Sequence, residues 1–177
     1  MSAAGVIIGA AVDRDARGLV ELRRAILEEA AWFTAEAGEV PDDVRLRTDR
    51  MREARRSGNQ VHLVARIGGD LVGAVAVEGG RLRRVRHVGR LEIMVGRAWR
   101  GRGIGAALLE AALASSRMHP ALEKVELAVY AHNARALSLY QRYGFVEEGR
   151  RIRQQRLADG SYADEVWMAR WLRPLSG

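Results

Sequence analysis

Glycine and arginine alternate in one short stretch in the second half of the chain. The segment RAWRGRGIG, residues 97–105, holds three glycines and three arginines in nine positions, and an apolar run follows it. Because glycine has no Cβ, successive backbone amides can turn towards a single anion without steric cost. A helix that begins directly afterwards adds partial positive charge at its first turn, and arginines supply charge-assisted hydrogen bonds. These properties together predict a phosphate-binding loop.

Three kinds of phosphate site could use such a loop. The P-loop of nucleoside triphosphatases needs lysine followed by serine or threonine after its last glycine, whereas Ala106 and Ala107 stand there. A dinucleotide-binding pattern is present in form at Gly101, Gly103 and Ala106, but the strands before it are predicted to form hairpins instead of a βαβ unit. The third interpretation is the pyrophosphate of a cofactor held between two diverging strands.

The elements around this loop predict an α+β fold in a single domain over residues 1–177. Apolar runs, helical periodicity and turn residues give the order β-α-α-β-β-β-α-β-α-β-β, with a mostly antiparallel twisted sheet of about seven strands flanked by four helices. One helical crossover joins the fourth strand to the fifth. The predicted helices cover residues 16–33, 42–58, 103–118 and 133–144, and the predicted strands cover 5–12, 61–67, 71–79, 89–95, 124–130, 146–157 and 162–172.

Two motifs in this order resemble those of the GNAT superfamily of N-acetyltransferases. The R-x-x-G-x-G/A pattern that follows the fourth strand of the family matches Arg100, Gly103 and Gly105. Further along, NARALSLYQRYGF (133–145) matches the N-x-x-A-x-x-L-Y-x-x-x-G-F helix of the family. The tail LADGSYADEVWMARWL (157–172) is similar to the closing hairpin of bacterial members near the ribosomal-protein and amino-acid N-acetyltransferases. The resemblance covers nearly the whole chain and is weakest over residues 32–59.

The resemblance implies that acetyl-CoA is the cosubstrate and that it lies between the fourth and fifth strands. No metal is expected, because the chain has no cysteine and its four histidines show no metal-ligand spacing. Backbone groups of Met94 and Val95 would bind the pantetheine arm. Asn133 matches the asparagine that binds the pantetheine region, although the same side chain could cap the following helix. The side chains of Arg97, Arg100 and Arg102 are candidate phosphate partners. The backbone amides that would hold the pyrophosphate are those of Arg100, Gly101, Arg102, Gly103, Ile104, Gly105 and Ala106.

Two side chains are candidates for the acid–base chemistry. Tyr140 matches the family tyrosine that protonates the leaving thiolate, and a core aromatic is the alternative. A phenol with a pKa near 10 must be close and well oriented for this, because the transfer to a thiolate near 8.5 is uphill by roughly 2 kcal/mol. Glu92 on the fourth strand is the candidate base, but it could equally pair with an arginine of the sheet, and Glu165 is a weaker alternative. In some relatives the basic glutamate lies earlier, where this chain has Gly89.

The acceptor is expected to be a primary amine of an amino acid, a small molecule or a protein N-terminus. The chain contains no cysteine, so direct transfer in a ternary complex is predicted. Trp32, Phe33 and Glu36 fall in the segment that covers the acceptor pocket in relatives, but packing of the two aromatic residues inside a helix is the favoured interpretation. His87 is a further candidate for the acceptor side. The alternative functions without catalysis are an acyl-CoA-binding sensor and, ranked after it, a basic nucleic-acid-binding protein.

Net charge is +7, and Lys124 is the only lysine, so arginine carries the positive charge. Eight arginines lie within residues 81–102, which suggests either a solvated basic surface or a site for a polyanion. Coenzyme A accounts for this density, so no nucleic-acid partner is expected. The first apolar run is interpreted as a strand and not as a signal peptide, and no run is long enough to span a membrane. A cytoplasmic location and a possible homodimer complete the expectations.

Overall fold

The computed structural model describes residues 5–29, 32–36 and 38–173 of the chain. Within them, helices and strands follow one another in the predicted order, so the predicted α+β fold is confirmed. The helices are α1 (Ala16–Leu27), α2 (Val44–Arg56), α3 (Ile104–Met118) and α4 (Ala134–Arg142). The strands are β1 (Ile7–Ala10), β2 (Gln60–Ile67), β3 (Asp70–Gly79), β4 (Val88–Val95), β5 (Lys124–Tyr130), β6 (Val146–Arg156) and β7 (Tyr162–Trp171).

The strands form one sheet in the order β1-β2-β3-β4-β5-β7-β6. Neighbouring strands are antiparallel except for β4 and β5, which are parallel. A parallel neighbour cannot be reached by a tight turn, and α3 supplies the crossover connection. The loop before α3 therefore lies at the end of β4, beside the start of the crossover.

Helices cover both faces of the sheet. Because side chains alternate along a strand, Val75 and Leu91 belong to the core on one face, whereas Ala74 and Met94 belong to the smaller core on the other. The larger core packs against α3, and the smaller core packs against α1 and α2.

α1 is shorter than predicted. The apolar pattern continues to Phe33, but the helix ends at Leu27. Beyond this point the chain makes tertiary contacts instead: Glu29 forms an ion pair with Arg100, and the ring of Trp32 lies 6.0 Å from that of His132. A few further helical residues contribute little stability, so such contacts decide where the helix stops.

β4 and β5 pair over only part of their length. Their register joins Val88 to Lys124, Gly89 to Val125 and Arg90 to Glu126. Beyond these pairs, residues 91–95 of β4 and 127–130 of β5 diverge. The gap is the one that the third interpretation of the glycine–arginine loop requires.

Candidate active site

The gap between β4 and β5 opens into a cavity of about 1060 Å³. One end of the cavity reaches the loop before α3 and the first turn of α4, and the other end reaches α1, α2 and the segment after α1. We call these the donor half and the acceptor half. The cavity therefore connects the loop before α3 with the segment after α1.

The donor half contains a loop whose backbone amides are free. Gly101 and Gly103 have φ angles of +86° and +82°, in the left-handed region that favours glycine. Gly103 is the N-cap of α3 and supplies no capping side chain. Among the described residues, no acceptor takes a hydrogen bond from the amides of residues 101–106. A helix N-terminus with open amides attracts an anion, so the diphosphate of coenzyme A fits this donor set.

The backbone of β4 presents alternate residues to the gap. The amide of Gly96 donates to the carbonyl of Val72 on β3 at 3.0 Å, and the register pairs Met94 with Ala74. Alternation of antiparallel hydrogen bonds directs the polar groups of Met94 towards β3 and those of Ile93 and Val95 into the gap. The expectation for Met94 is thus corrected, because its backbone is occupied inside the sheet. Ile93 is the residue that sequence reasoning missed.

Arg100 does not point its guanidinium at a phosphate site. Its two terminal nitrogens donate to the carboxylate of Glu29 at 2.7 and 2.8 Å, and its Nε donates to the carbonyl of Val95 at 2.9 Å. The expectation of a phosphate-binding side chain is therefore corrected at this position. Its own amide bonds weakly to the carbonyl of Arg97 at 3.4 Å. The carboxylate of Glu29 therefore pairs with the guanidinium charge that a phosphate would otherwise bind.

The other two arginines lie outside the cavity wall. Arg102 is exposed and places its guanidinium 4.9 Å from the ring centre of Trp99, while Arg97 is exposed in a short 3₁₀ turn. Asn133 accepts a hydrogen bond from the amide of Ala136 at 3.1 Å, so it caps α4. It also lines the cavity, which leaves its side-chain NH₂ group available to a ligand.

Tyr140 lines the cavity on the α4 side of the gap. Its ring packs 5.8 Å from that of Phe145, and among the described residues its hydroxyl has no hydrogen-bond partner. Burial, and to a smaller extent the negative charge of Glu92, raise the pKa of Tyr140 to about 12. The phenol therefore stays protonated across the physiological range.

Glu92 lines the same cavity and forms an ion pair. Arg23 on α1 donates to its Oε1 at 3.2 Å, and the Nε of Arg23 lies 3.6 Å from Asp42. The carboxylate of Glu92 is 46% exposed, so one partner does not close it off. Glu92 thus pairs with an arginine, as one alternative from the sequence expected, and also faces the cavity, while its role as base stays a prediction.

Compared with Glu92, Glu165 is more deeply buried in the acceptor half and has more side-chain partners. It accepts a hydrogen bond from the indole of Trp167 at 2.8 Å and lies 3.7 Å from Arg151. Tyr130 stands across the strand pair from it. Burial raises the pKa of the Tyr130 phenol, a hydrogen bond with Thr34 opposes this, and the charge of Glu165 raises it further.

Residues 32–36, here called the strap, cross from the end of α1 to the far side of the cavity. Neither aromatic residue is helical, so the expected helix is wrong here; Trp32 is 41% exposed, whereas Phe33 packs against the smaller core as expected. Both line the cavity with Thr34, whose hydroxyl accepts a hydrogen bond from Gln155 on β6 at 3.0 Å. The strap is thus the wall of the acceptor half.

Two candidates lie away from the cavity. Glu36 does not line it, and His87 precedes β4 at the end of the sheet opposite to the loop. Sequence reasoning missed Arg23, Glu29 and Tyr130. Only Tyr130 carried a signal, as an aromatic residue at the last position of a strand beside the gap, whereas the two charged residues look like ordinary surface positions of α1.

The described residues contain neither a membrane-spanning helix nor a cluster of metal-binding side chains. No helix among them is long and apolar enough to cross a membrane. In the same part of the chain, no group of three or more histidine, aspartate or glutamate side chains could hold a metal ion.

Comparison with known proteins agrees with this geometry. The model of the acetyltransferase (GNAT) family matches residues 24–145. The L-amino acid N-acetyltransferase AaaT of Escherichia coli (strain K12) is 34% identical over 108 residues, which is 61% of this chain and 66% of that protein, slightly less than two thirds of its length. The crystal structure of a GNAT-family acetyltransferase from Streptococcus pneumoniae is 28% identical, with a TM-score of 0.89 over 94% of this chain and 99% of that chain. YncA of Salmonella typhimurium, solved with its cofactor acetyl-CoA, shares the fold at 18% identity, with a TM-score of 0.85 over 97% of this chain and 96% of that chain. The chain therefore belongs to the acetyltransferase (GNAT) family.

Proposed function

We propose that the protein transfers the acetyl group of acetyl-CoA directly to a primary amine while both substrates are bound. The observation that carries this proposal is the set of open amides at residues 101–106, which lie at one end of a cavity that Tyr140 and Glu92 also line. The chain has no cysteine to form a thioester-linked acyl-enzyme. Direct attack of the amine on the bound thioester is the route these residues support.

The donor is held mainly by backbone groups. The open amides and the first turn of α3 receive the diphosphate, and the pantetheine arm extends along the exposed edge of β4. There, the arm takes the place of the missing strand partner and forms hydrogen bonds with the backbone groups of Ile93 and Val95. Because the carbonyl of Val95 already accepts from Arg100, its amide is the group left to polarise the thioester carbonyl.

The amine must lose a proton before it can attack. At pH 7, deprotonation costs about 1.1 kcal/mol for an α-amine with a pKa near 7.8, but about 4.6 kcal/mol for a lysine-like amine near 10.4. For an α-amine, the single partly exposed carboxylate of Glu92 is a sufficient base. It accepts the proton directly or through a water molecule. When the nitrogen bonds to the acetyl carbon, the carbon–sulfur bond breaks and the sulfur leaves as a thiolate.

Tyr140 supports the departing sulfur. With its pKa raised to about 12, complete proton transfer to a thiolate near 8.5 would be uphill by about 5 kcal/mol. The sequence suggested only about 2 kcal/mol, because it could not include burial. Tyr140 therefore acts as a hydrogen-bond donor to the negative charge that develops on sulfur, and the released thiolate takes its final proton from solvent.

The acceptor half favours a free α-amino acid. Arg50 and Arg90 line it, and neither forms an ion pair with a carboxylate among the described residues. Arg90 and Glu92 lie on the same face of β4, roughly 7 Å apart by strand geometry. A carboxylate on Arg90 and an amine on Glu92 match the two charges of an α-amino acid. The name of the Escherichia coli relative points to the same substrate class.

A thiol-release assay with Tyr140→Phe tests the function. We expect kcat to fall at least about 100-fold with an α-amino acid acceptor, because a donor to the leaving sulfur is lost. Acetyl-CoA affinity, measured by calorimetry, should change less than about twofold, since the diphosphate is held elsewhere. Tyr143→Phe is the matched control, because Tyr143 follows on the same helix end and packs against the core without lining the cavity.

The same assay separates transfer from the alternative of an acyl-CoA-binding sensor. A sensor would bind acetyl-CoA with measurable heat but release no coenzyme A with amino acids, polyamines, aminoglycosides or N-terminal peptides. Wild-type turnover with any of these amines, slowed in Tyr140→Phe and unchanged in Tyr143→Phe, supports the enzyme.

A further inference from the structure

The pair formed by Glu29 and Arg100 joins the two halves of the cavity. Its two hydrogen bonds measure 2.7 and 2.8 Å, and both side chains are largely buried, with exposed fractions of 17% and 27%. A third bond, from the Nε of Arg100 to the carbonyl of Val95, fixes the guanidinium to the end of β4. Parallel hydrogen bonds from a planar guanidinium hold a carboxylate in one orientation.

The two residues belong to different parts of the site. Arg100 directly precedes the open amides of the donor loop, and Glu29 lies between the end of α1 and the strap. The strap itself is held by the bond of Thr34 to Gln155 on β6 and by the contact of Trp32 with His132, which lies just before α4. The pair with Arg100 is therefore the anchor of the strap on the donor side.

Resting on the proposed function, we propose that Glu29 is a positioning residue that makes the order of the strap, and hence acceptor affinity, depend on the diphosphate in the donor loop. The loop turns through two left-handed glycines, Gly101 and Gly103, and its open amides gain partners when a diphosphate binds. Arg100 transmits this restriction to Glu29. Two ligands that stabilise one arrangement increase each other's affinity by the same factor.

Hydrogen exchange of the strap amides tests the proposal without turnover. In the wild type, saturating coenzyme A should slow exchange at residues 32–36. In Glu29→Gln, which keeps a hydrogen-bonding side chain but loses the charge, coenzyme A should still bind with an affinity within about twofold while this protection disappears. Glu28→Gln is the matched control, because Glu28 is exposed and pairs only with Arg24 at 3.8 Å among the described residues.

Steady-state kinetics supply the second measurement. Glu29→Gln should raise the acceptor KM by about 10-fold and leave kcat and the acetyl-CoA dissociation constant measured without acceptor nearly unchanged, and Glu28→Gln should match the wild type. Arg100→Lys, which cannot form two parallel bonds, should reproduce the effect on acceptor KM. Thermal unfolding shows whether Glu29→Gln or Arg100→Lys has lost its fold. If one of them has, the acceptor KM of the other tests the proposal.

The proposal is overturned if Glu29→Gln retains the coenzyme A-dependent protection of the strap, or if it weakens coenzyme A binding and leaves the acceptor KM unchanged. Failure of the proposed function looks different. In that case the wild type releases no coenzyme A with any amine, while the exchange experiment still decides whether Glu29 couples the loop to the strap.

Discussion

At the scale of single residues, the neighbours of a side chain decided its role. Arg100 occupies a motif position and carries the charge expected of a phosphate ligand, yet a carboxylate 71 positions earlier takes its guanidinium. Tyr140 keeps its motif position and faces the cavity, but burial changes its acidity. Residue type therefore limits the chemistry, and the environment selects among the possibilities.

Tyrosine titration checks the environment of Tyr140. Because burial and the charge of Glu92 both disfavour the tyrosinate, its pKa is raised to about 12, and absorbance near 295 nm should show a tyrosine that ionises about two pH units above a free phenol. Tyr140→Phe should remove this late phase, and Glu92→Gln should move it to lower pH. An unchanged late phase in Tyr140→Phe would show that another tyrosine carries it.

The pH dependence of Glu92→Gln checks the base. The amine is mostly protonated below its pKa near 7.8 and needs a base there, whereas above that pKa it is already neutral. We expect kcat/KM to fall by about 100-fold at pH 6.5 and by less than about threefold at pH 9. Glu78→Gln, a change at another partly exposed carboxylate of the cavity, should have little effect at either pH. An equal loss at both pH values would mean that Glu92 acts only by holding Arg23.

At the scale of elements, a glycine loop and a diverging strand pair make the donor half. β4 and β5 separate after Arg90 and Glu126, and α3 begins where the loop ends. The open amides are a property of the helix terminus and not of any single side chain. Their function depends on left-handed backbone at Gly101 and Gly103.

Alanine substitution separates backbone strain from ligand binding. Gly101 and Gly160 have φ angles of +86° and +82°, and Gly160 lies in the turn between β6 and β7 with open space around it. Each Gly→Ala change should lower the free energy of unfolding by about 1–2 kcal/mol. Only Gly101→Ala should also weaken acetyl-CoA binding, by at least about fivefold, since a shifted loop misaligns its amides. Equal calorimetric affinities in the two variants would argue against the loop as the diphosphate site.

At the scale of the whole molecule, β4 divides the arginine cluster. Arg97, Arg100 and Arg102 follow the strand, whereas Arg81, Arg83, Arg84 and Arg86 precede it. The eight residues of β4 span roughly 26 Å, about three times the Debye length at physiological salt. The expectation that all these arginines gather at the cofactor is therefore wrong for the group before the strand.

Neutralising this distant group checks its independence from the cofactor. Replacing Arg81, Arg83, Arg84 and Arg86 with glutamine should change the acetyl-CoA dissociation constant by less than about twofold at 0.15 M salt, because the charges are screened at that distance. Calorimetry on the fourfold variant and the wild type measures this. A loss of 10-fold or more would place these side chains near the ligand and contradict the assignment of the donor half.

The sequence by itself determined the order of elements, the donor loop and the motif helix with Tyr140, because glycine spacing, apolar periodicity and turn residues act over a few neighbouring positions. Only the tertiary structure decided where α1 ends, which backbone groups of β4 face the gap, and which acid holds Arg100. These features depend on strand register and on contacts between residues far apart in the chain. One amino-acid sequence carries no local signal for such contacts, since the ion pair of Glu29 and Arg100 exists only when the sheet has brought α1 and the donor loop together.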